Sequence, residues 1–253
     1  MMKLIAHSSQ LIAKYLFLSA ISFLAMSSPC FAQGGMMPGP GVKGYAAADE
    51  CAGYLVCQNF EGTGYDHSET WTETADGTVD EDYTTTVLRG SQSLYINDST
   101  GTNETNIQFG TTNPVYYFFR YRPVSHSGND QIMRMTTTAA SASGNLLHLD
   151  SAPSYPLRAY HGTITADGTV SLAAGTTYYI WGKYQAASGG SNGIHQVWIG
   201  TSGLKSEATL DIDMSTGDDT DQAGRIYLNN NGVGEGIYDQ VLVKSTEIGD
   251  APL

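Results

Sequence analysis

At 253 residues, with 29 Gly, 16 Tyr, 15% charged side chains and a formal net charge of −13, the chain has the composition of strands broken by turns rather than of helices. Length allows one large β domain or two small ones. So acidic a chain repels phosphate backbones and shows no basic stripe, which argues against nucleic acid and leaves cations, neutral or basic sugars and basic surfaces as partners.

The first segment differs from the rest. Lys3 and Lys14 precede an apolar run, Tyr15 to Met26, too short to span a bilayer, and SSPCFAQ follows it with Ala32 placed for cleavage. Residues 1–32 therefore read as a secretory signal peptide, which implies a secreted, periplasmic or extracellular mature chain starting at Gln33 with no membrane span. The alternative, a lipid anchor on Cys30, has Pro29 where small residues are usual. Cleavage removes two lysines and no acid, moving the net charge from −13 to −15. It also leaves two cysteines. Cys51 and Cys57, in CAGYLVC, can then close a short loop worth about 2–3 kcal/mol on the loop-entropy model; the alternative is two reduced thiols. Residues 33–50, rich in Gly, Pro and Met without an apolar period, read as a flexible leader.

From Cys51 the predicted strands follow in order: YLVCQNF, TWTET, TTTVL, SQSLYIN, TNIQF, VYYFFRYRP, QIMRMTT, NLLHL, LRAYHG, TTYYIWGKY, GIHQVWIG, RIYLNNN and IYDQVLVKS. Asp76-Gly77, Asp167-Gly168, Asn192-Gly193 and Asn231-Gly232 supply hairpin turns between them. The echo of TETADGTV at 72–79 in TITADGTV at 163–170 does not extend into its flanks, so residues 51–253 read as a single domain. DEDY at Asp80 to Tyr83 reads as a polar turn. DIDMSTGDDTDQ, Asp211 to Gln222, reads as an exposed acidic loop, because Thr216 and Gln222 occupy the positions where an EF-hand needs Gly and Glu. So many short strands at this spacing fit an all-β, antiparallel two-sheet sandwich or jelly roll.

Alternation assigns faces. In VYYFFRYRP, Val115, Tyr117, Phe119 and Tyr121 form one side; Tyr116, Phe118, Arg120 and Arg122 form the other. In TTYYIWGKY, Tyr179, Trp181 and Lys183 alternate with Tyr178, Ile180 and Gly182. Arg120, Arg122, Trp181 and Lys183, with Tyr160 and Trp198 behind them, are thus expected to line a groove where aromatic faces stack on sugar rings and polar neighbours bond to hydroxyls.

The order NFEGTGYD, GSQSLYI, VYYFFRYRPV, LAAGTTYYIWGKY, HQVWIG, RIYLNN and GIYDQVLVKS resembles the concanavalin A-like lectin and glucanase superfamily, especially its laminin-G-like members, over most of residues 54–245. The resemblance implies a calcium ion where the first and last strands meet. Glu61, Gly62 and Asp239 are then its ligands, with Asp66 a weaker candidate; the alternative is solvated strand-end carboxylates.

Chemistry finds little support. The Glu-x-Asp-x-x-Glu strand of laminarinase-type members is absent. HQVW and RYRP share residue types with alginate-lyase-type members without their spacing. His67, His126, His148, His161 and His195 lack metal-ligand spacing, and no Gly-x-Ser-x-Gly elbow occurs. The expected function is non-catalytic carbohydrate binding or adhesion, with a glycan or polysaccharide as partner. The alternatives are a structural module of an envelope or extracellular assembly and a polysaccharide-degrading hydrolase or lyase without recognisable motifs.

Overall fold

The structure, a computed structural model, describes residues 51–61, 64–65, 70–74, 78–97, 103–125, 131–138, 146–149, 156–231 and 234–252. The expected signal peptide and leader lie outside them, as do Gly62, Asp66, His67 and His126. Fifteen strands are described: β1 Val56–Gln58, β2 Thr72–Thr74, β3 Thr78–Tyr83, β4 Ser93–Asn97, β5 Glu104–Thr112, β6 Val115–Ser125, β7 Gln131–Thr136, β8 Leu146–Leu149, β9 Pro156–His161, β10 Ile164–Ser171, β11 Tyr178–Gln185, β12 Gly193–Gly200, β13 Thr209–Gly217, β14 Ala223–Asn231 and β15 Glu235–Lys244. The first sheet runs β13-β12-β11-β6-β15-β4-β3, with β1 also on β15; the second runs β10-β9-β8-β7-β14-β5-β2. All pairings are antiparallel, and the fold is a two-sheet jelly-roll sandwich. Among the described residues no helix is long and apolar enough to cross a membrane.

Alternation decides what fills the space between the sheets. Val115, Tyr117, Phe119 and Tyr121 of β6, with Tyr178 and Ile180 of β11, enter a core shared with Ile132, Met133 and Met135 of β7 and Ile226 and Leu228 of β14. Each large apolar side chain buried there stabilises by about 1.5–3 kcal/mol. Two of the core tyrosines pair their hydroxyls with carbonyls across the fold: Tyr238 donates to that of Ile132 at 2.8 Å and Tyr184 to that of Asp221 at 2.6 Å. The buried His195 donates from Nδ1 to the Tyr160 carbonyl at 3.1 Å, so its Nε2 accepts from the Tyr117 hydroxyl at 3.0 Å. Burial holds that imidazole neutral, with its pKa lowered to about 4. His195 is thus a packing residue, and His161, clasped between Gly193 and Gly217, is another.

Gly182 faces the Tyr117 ring so closely that a Cβ there would overlap it. Gly182→Ala is therefore expected to cost about 1–3 kcal/mol of overpacking, read as a lower urea midpoint at unchanged slope.

Four local expectations are corrected. DEDY is not a turn but the end of β3, an edge strand paired with β4 at Val79↔Ile96 and Asp80↔Tyr95, while Thr84–Leu88 forms no strand. Charged residues suit an edge strand because they deter further pairing. DIDMSTG lies in β13, the other edge of the first sheet. Its acids have work to do: Asp211 Oδ1 accepts from the backbone nitrogens of Thr169 at 2.7 Å and Val170 at 2.9 Å, stitching the sheets together. Asp167-Gly168 is not a hairpin turn but an irregularity inside β10, where Gly168 leaves room for that carboxylate.

Candidate functional site

The last strand changes partner halfway along. β15 pairs with β4 up to Tyr238↔Leu94 and with β1 from Val241↔Gln58, leaving Asp239 and Gln240 between the two. Against β6 a bulge falls in the same place, between Asp239 and Leu242. Gln240 takes the left-handed conformation there, φ 49°, and Phe60, just after β1, takes it at φ 56°. Such conformations cost about 1–3 kcal/mol each in a non-glycine residue and persist only where the surroundings impose them.

Two carboxylates converge on the loop before β4. Asp239 Oδ2 accepts from the Arg89 backbone nitrogen at 2.8 Å and the Ser93 hydroxyl at 3.0 Å. Glu61 Oε2 accepts from the Ser91 backbone nitrogen and hydroxyl, each at 2.9 Å, and lies against Gly90, where any side chain would displace it. Asp239 is fully buried, and its Oδ1 has no hydrogen-bond partner among the described residues. Burial is also the largest influence on its acidity, pushing the carboxyl up to about 7 despite Ser93, Arg120 and the Arg89 amide. A buried carboxylate oxygen without a hydrogen bond, on a loop to which a second carboxylate also bonds, is the kind of oxygen a hard cation takes. The loop brings together two carboxylates only; among the described residues no group of three or more His, Cys, Asp or Glu forms a metal cluster. The structure also joins Cys51 and Cys57 in a disulfide at the head of β1.

The six expected contact residues do not form one groove. Trp181 is 1% exposed, packed on Phe118 at 5.1 Å and donating its indole N–H to the Gly249 carbonyl at 2.9 Å. Arg120 is buried as well, bonded through Nε to Gln240 Oε1 at 2.9 Å and through Nη2 to the Pro252 carbonyl at 3.1 Å. The chain's own C-terminal segment thus covers the centre of this stripe, because Phe118, Trp181 and Leu242 form a second apolar cluster with Ile248 and Ala251. Arg122, Lys183 and Trp198 on the same sheet remain half-buried, Trp198 under the Lys205 ammonium at 4.5 Å. Tyr160 lies on β9, in the other sheet.

The outer face of that second sheet carries a set the expected groove missed. Arg134 of β7 lies over the Tyr227 ring of β14 at 4.2 Å and bonds to Glu104 of β5 at 3.1 Å. Arg225, two residues before Tyr227, is braced by Asn106 Oδ1 at 3.2 Å and Gln108 Oε1 at 3.1 Å. Arg158 of β9 forks onto Asp167 of β10. Register sets Gln131, His148 and Arg158 side by side across β7, β8 and β9. Three of the chain's six arginines therefore share one face of an acidic protein. The Nε donors of Arg134 and Arg225 are enclosed and meet no acceptor among the described residues. The signal was present in the alternation of QIMRM and RIYLN, whose arginines stand opposite buried methionine and isoleucine.

No family model matches the sequence, and no curated protein matches it. Solved structures do. The cellulose induced protein Cip1 is similar at 17% identity with a TM-score of 0.56, covering 77% of this chain and 99% of its own. The binding domain of botulinum neurotoxin serotype C1 is similar at 8% identity and a TM-score of 0.52, covering 78% of this chain and 49% of its own. The binding domain of botulinum neurotoxin DC, solved in complex with rat synaptotagmin II, gives 10% and 0.52, with 78% and 49% covered. These likenesses show the fold, a two-sheet jelly-roll sandwich.

Proposed function

We propose that the chain is a secreted, non-catalytic, laminin-G-like jelly roll that binds polysaccharide on the outer face of its second sheet, preferring acidic sugar units, with a calcium ion as a structural staple. The observation that carries the binding site is the set of held arginines: Arg134 flat on Tyr227 and Arg225 braced by Asn106 and Gln108. A guanidinium fixed before the ligand arrives loses little freedom on binding, and its planar fork matches a carboxylate or sulfate. Gln108, Gln131 and Tyr160 on the same sheet supply groups suited to hydroxyls. A face of this kind, rather than a closed pocket, suits an extended polymer.

The calcium reading rests on the orphaned Asp239 oxygen, with Glu61 and Asp239 as carboxylate ligands and the Gly62 carbonyl as the third. Bound calcium would cross-link the ends of β1 and β15 to the loop before β4.

Binding to a panel of immobilised neutral, carboxylated and sulfated polysaccharides tests the function, run beside assays for reducing ends and unsaturated products. Retention on acidic polymers without product release is expected. Product release would replace binding by cleavage, and retention on none would leave the structural-module reading.

A further inference from the structure

Gln240 belongs to two structures at once. Its backbone adopts φ 49° beside Asp239, and its side-chain Nε2 donates to the Pro252 carbonyl at 2.9 Å. Arg120 repeats the connection: Nε donates to Gln240 Oε1, Nη2 to the same Pro252 carbonyl at 3.1 Å, and Nη1 to the Leu88 carbonyl at 3.4 Å, one residue before the amide that holds Asp239. Arg120 is also the direct cross-strand neighbour of Asp239. The carboxylate site and the C-terminal segment thus share a buried side-chain pair.

That segment is a strap. Beyond Pro252 it is fixed by the Trp181 indole on the Gly249 carbonyl, by the Ala251 amide on the Gly203 carbonyl at 2.7 Å, and by Asp250 accepting from the Lys205 amide at 2.8 Å. Beneath it lie Phe118 and Trp181, an apolar surface that no strand covers. The bulge that places Asp239 for a cation and the one that aims Gln240 at the strap are the same bulge, so neither can shift alone.

Resting on the calcium reading above, we infer that cation binding at Glu61 and Asp239 and docking of the strap Glu247–Pro252 over Trp181 form one coupled equilibrium, with Gln240 and Arg120 as its positioning residues. Calcium draws Asp239 and the Arg89 loop together and fixes the bulge; the fixed bulge presents Gln240 and Arg120 to Pro252. The coupling is reciprocal, so loosening the strap weakens calcium binding by the same factor.

The test measures amide exchange of residues 247–252 by mass spectrometry and calcium affinity by calorimetry, on the purified chain with its disulfide intact. Chelation is expected to speed exchange in the strap about tenfold, within the range of such couplings, while leaving β6 and β11 unchanged. Gln240→Asn keeps a residue that tolerates the left-handed conformation but shortens the reach to Pro252. It is expected to lower calcium affinity about tenfold and make strap exchange insensitive to calcium. Trp181→Phe removes the indole bond to Gly249 without touching either carboxylate, and is expected to lower calcium affinity as well. Calcium binding with unchanged strap exchange in the native chain would overturn the coupling and leave the cation site standing; no calcium binding at all would overturn both.

Discussion

Calcium is expected to raise the thermal midpoint of the native chain and to leave that of Asp239→Asn unchanged. A ligand that binds only the folded state adds about 2.7 kcal/mol at a hundredfold excess over its dissociation constant, a large fraction of the stability of an ordinary domain. The size of the effect follows from Asp239, which is fully buried with one oxygen unpaired, so that its ionised form is costly until a cation satisfies it. The dependence on pH has a definite sign. Without calcium, Asp239 has its folded pKa raised from 3.8 to about 7, so its contribution is present below pH 4 and is lost as pH rises through 7. The loss is on the order of 4 kcal/mol. His195 works the other way: its folded pKa is lowered from 6.5 to about 4, so stability falls as pH drops through that window. In calcium-free protein the two slopes oppose each other. In calcium-saturated protein Asp239 stays ionised and the His195 slope remains, so the calcium increment grows from pH 4 to 7 and then levels off. Thermal melts at half-unit pH intervals, with calcium and with chelator, measure both; an increment independent of pH would contradict the role of Asp239.

Replacing Arg134 by Ala is expected to weaken binding of acidic polysaccharide by ten- to a hundredfold, and the double replacement with Arg225→Ala to abolish it. A charge-assisted hydrogen bond contributes about 1.5–3 kcal/mol, and each 1.4 kcal/mol is a factor of ten in affinity. The guanidinium of Arg134 also caps the Tyr227 ring, so the substitution bares an aromatic face while removing the charge. Arg134→Lys separates the two effects: it keeps the charge, loses the planar fork, and is expected to retain only a minor part of the affinity. The control is Lys183→Ala on the first sheet, expected to leave binding unchanged. Affinity electrophoresis of the four variants in gels containing the polymer reads the series, and a loss at Lys183 equal to that at Arg134 would move the site to the other face.

The strands of the core were legible because strict alternation in VYYFFRYRP and TTYYIWGKY leaves one assignment of the inner face, and Tyr117, Phe119, Tyr178 and Ile180 occupy it. What alternation cannot say is what covers the outer face. Trp181 and Arg120 point away from the core as expected, yet a segment 68 residues after the first and 132 after the second lies on them. Edge strands were hidden for a related reason: DEDY and LDIDMS carry the charges that keep an edge from pairing further, and charge reads as loop in a sequence. That Glu61 and Asp239 bond to the same loop before β4 has no sign in residue spacing, since the two are so far apart in the chain. Its reason, β15 changing partner from β4 to β1, is a property of topology. The arginine face was recoverable from alternation alone, one arginine per strand, but only sheet order shows that β7, β14 and β9 place them on one surface.

The most direct test compares the affinity of the native chain for a polyuronate and for the same polymer after reduction of its carboxyl groups to alcohols. The arginine face predicts binding to the polyuronate at least about tenfold tighter, the worth of one lost charge-assisted contact. Equal affinity for the two polymers, or preference for the reduced one, would contradict it.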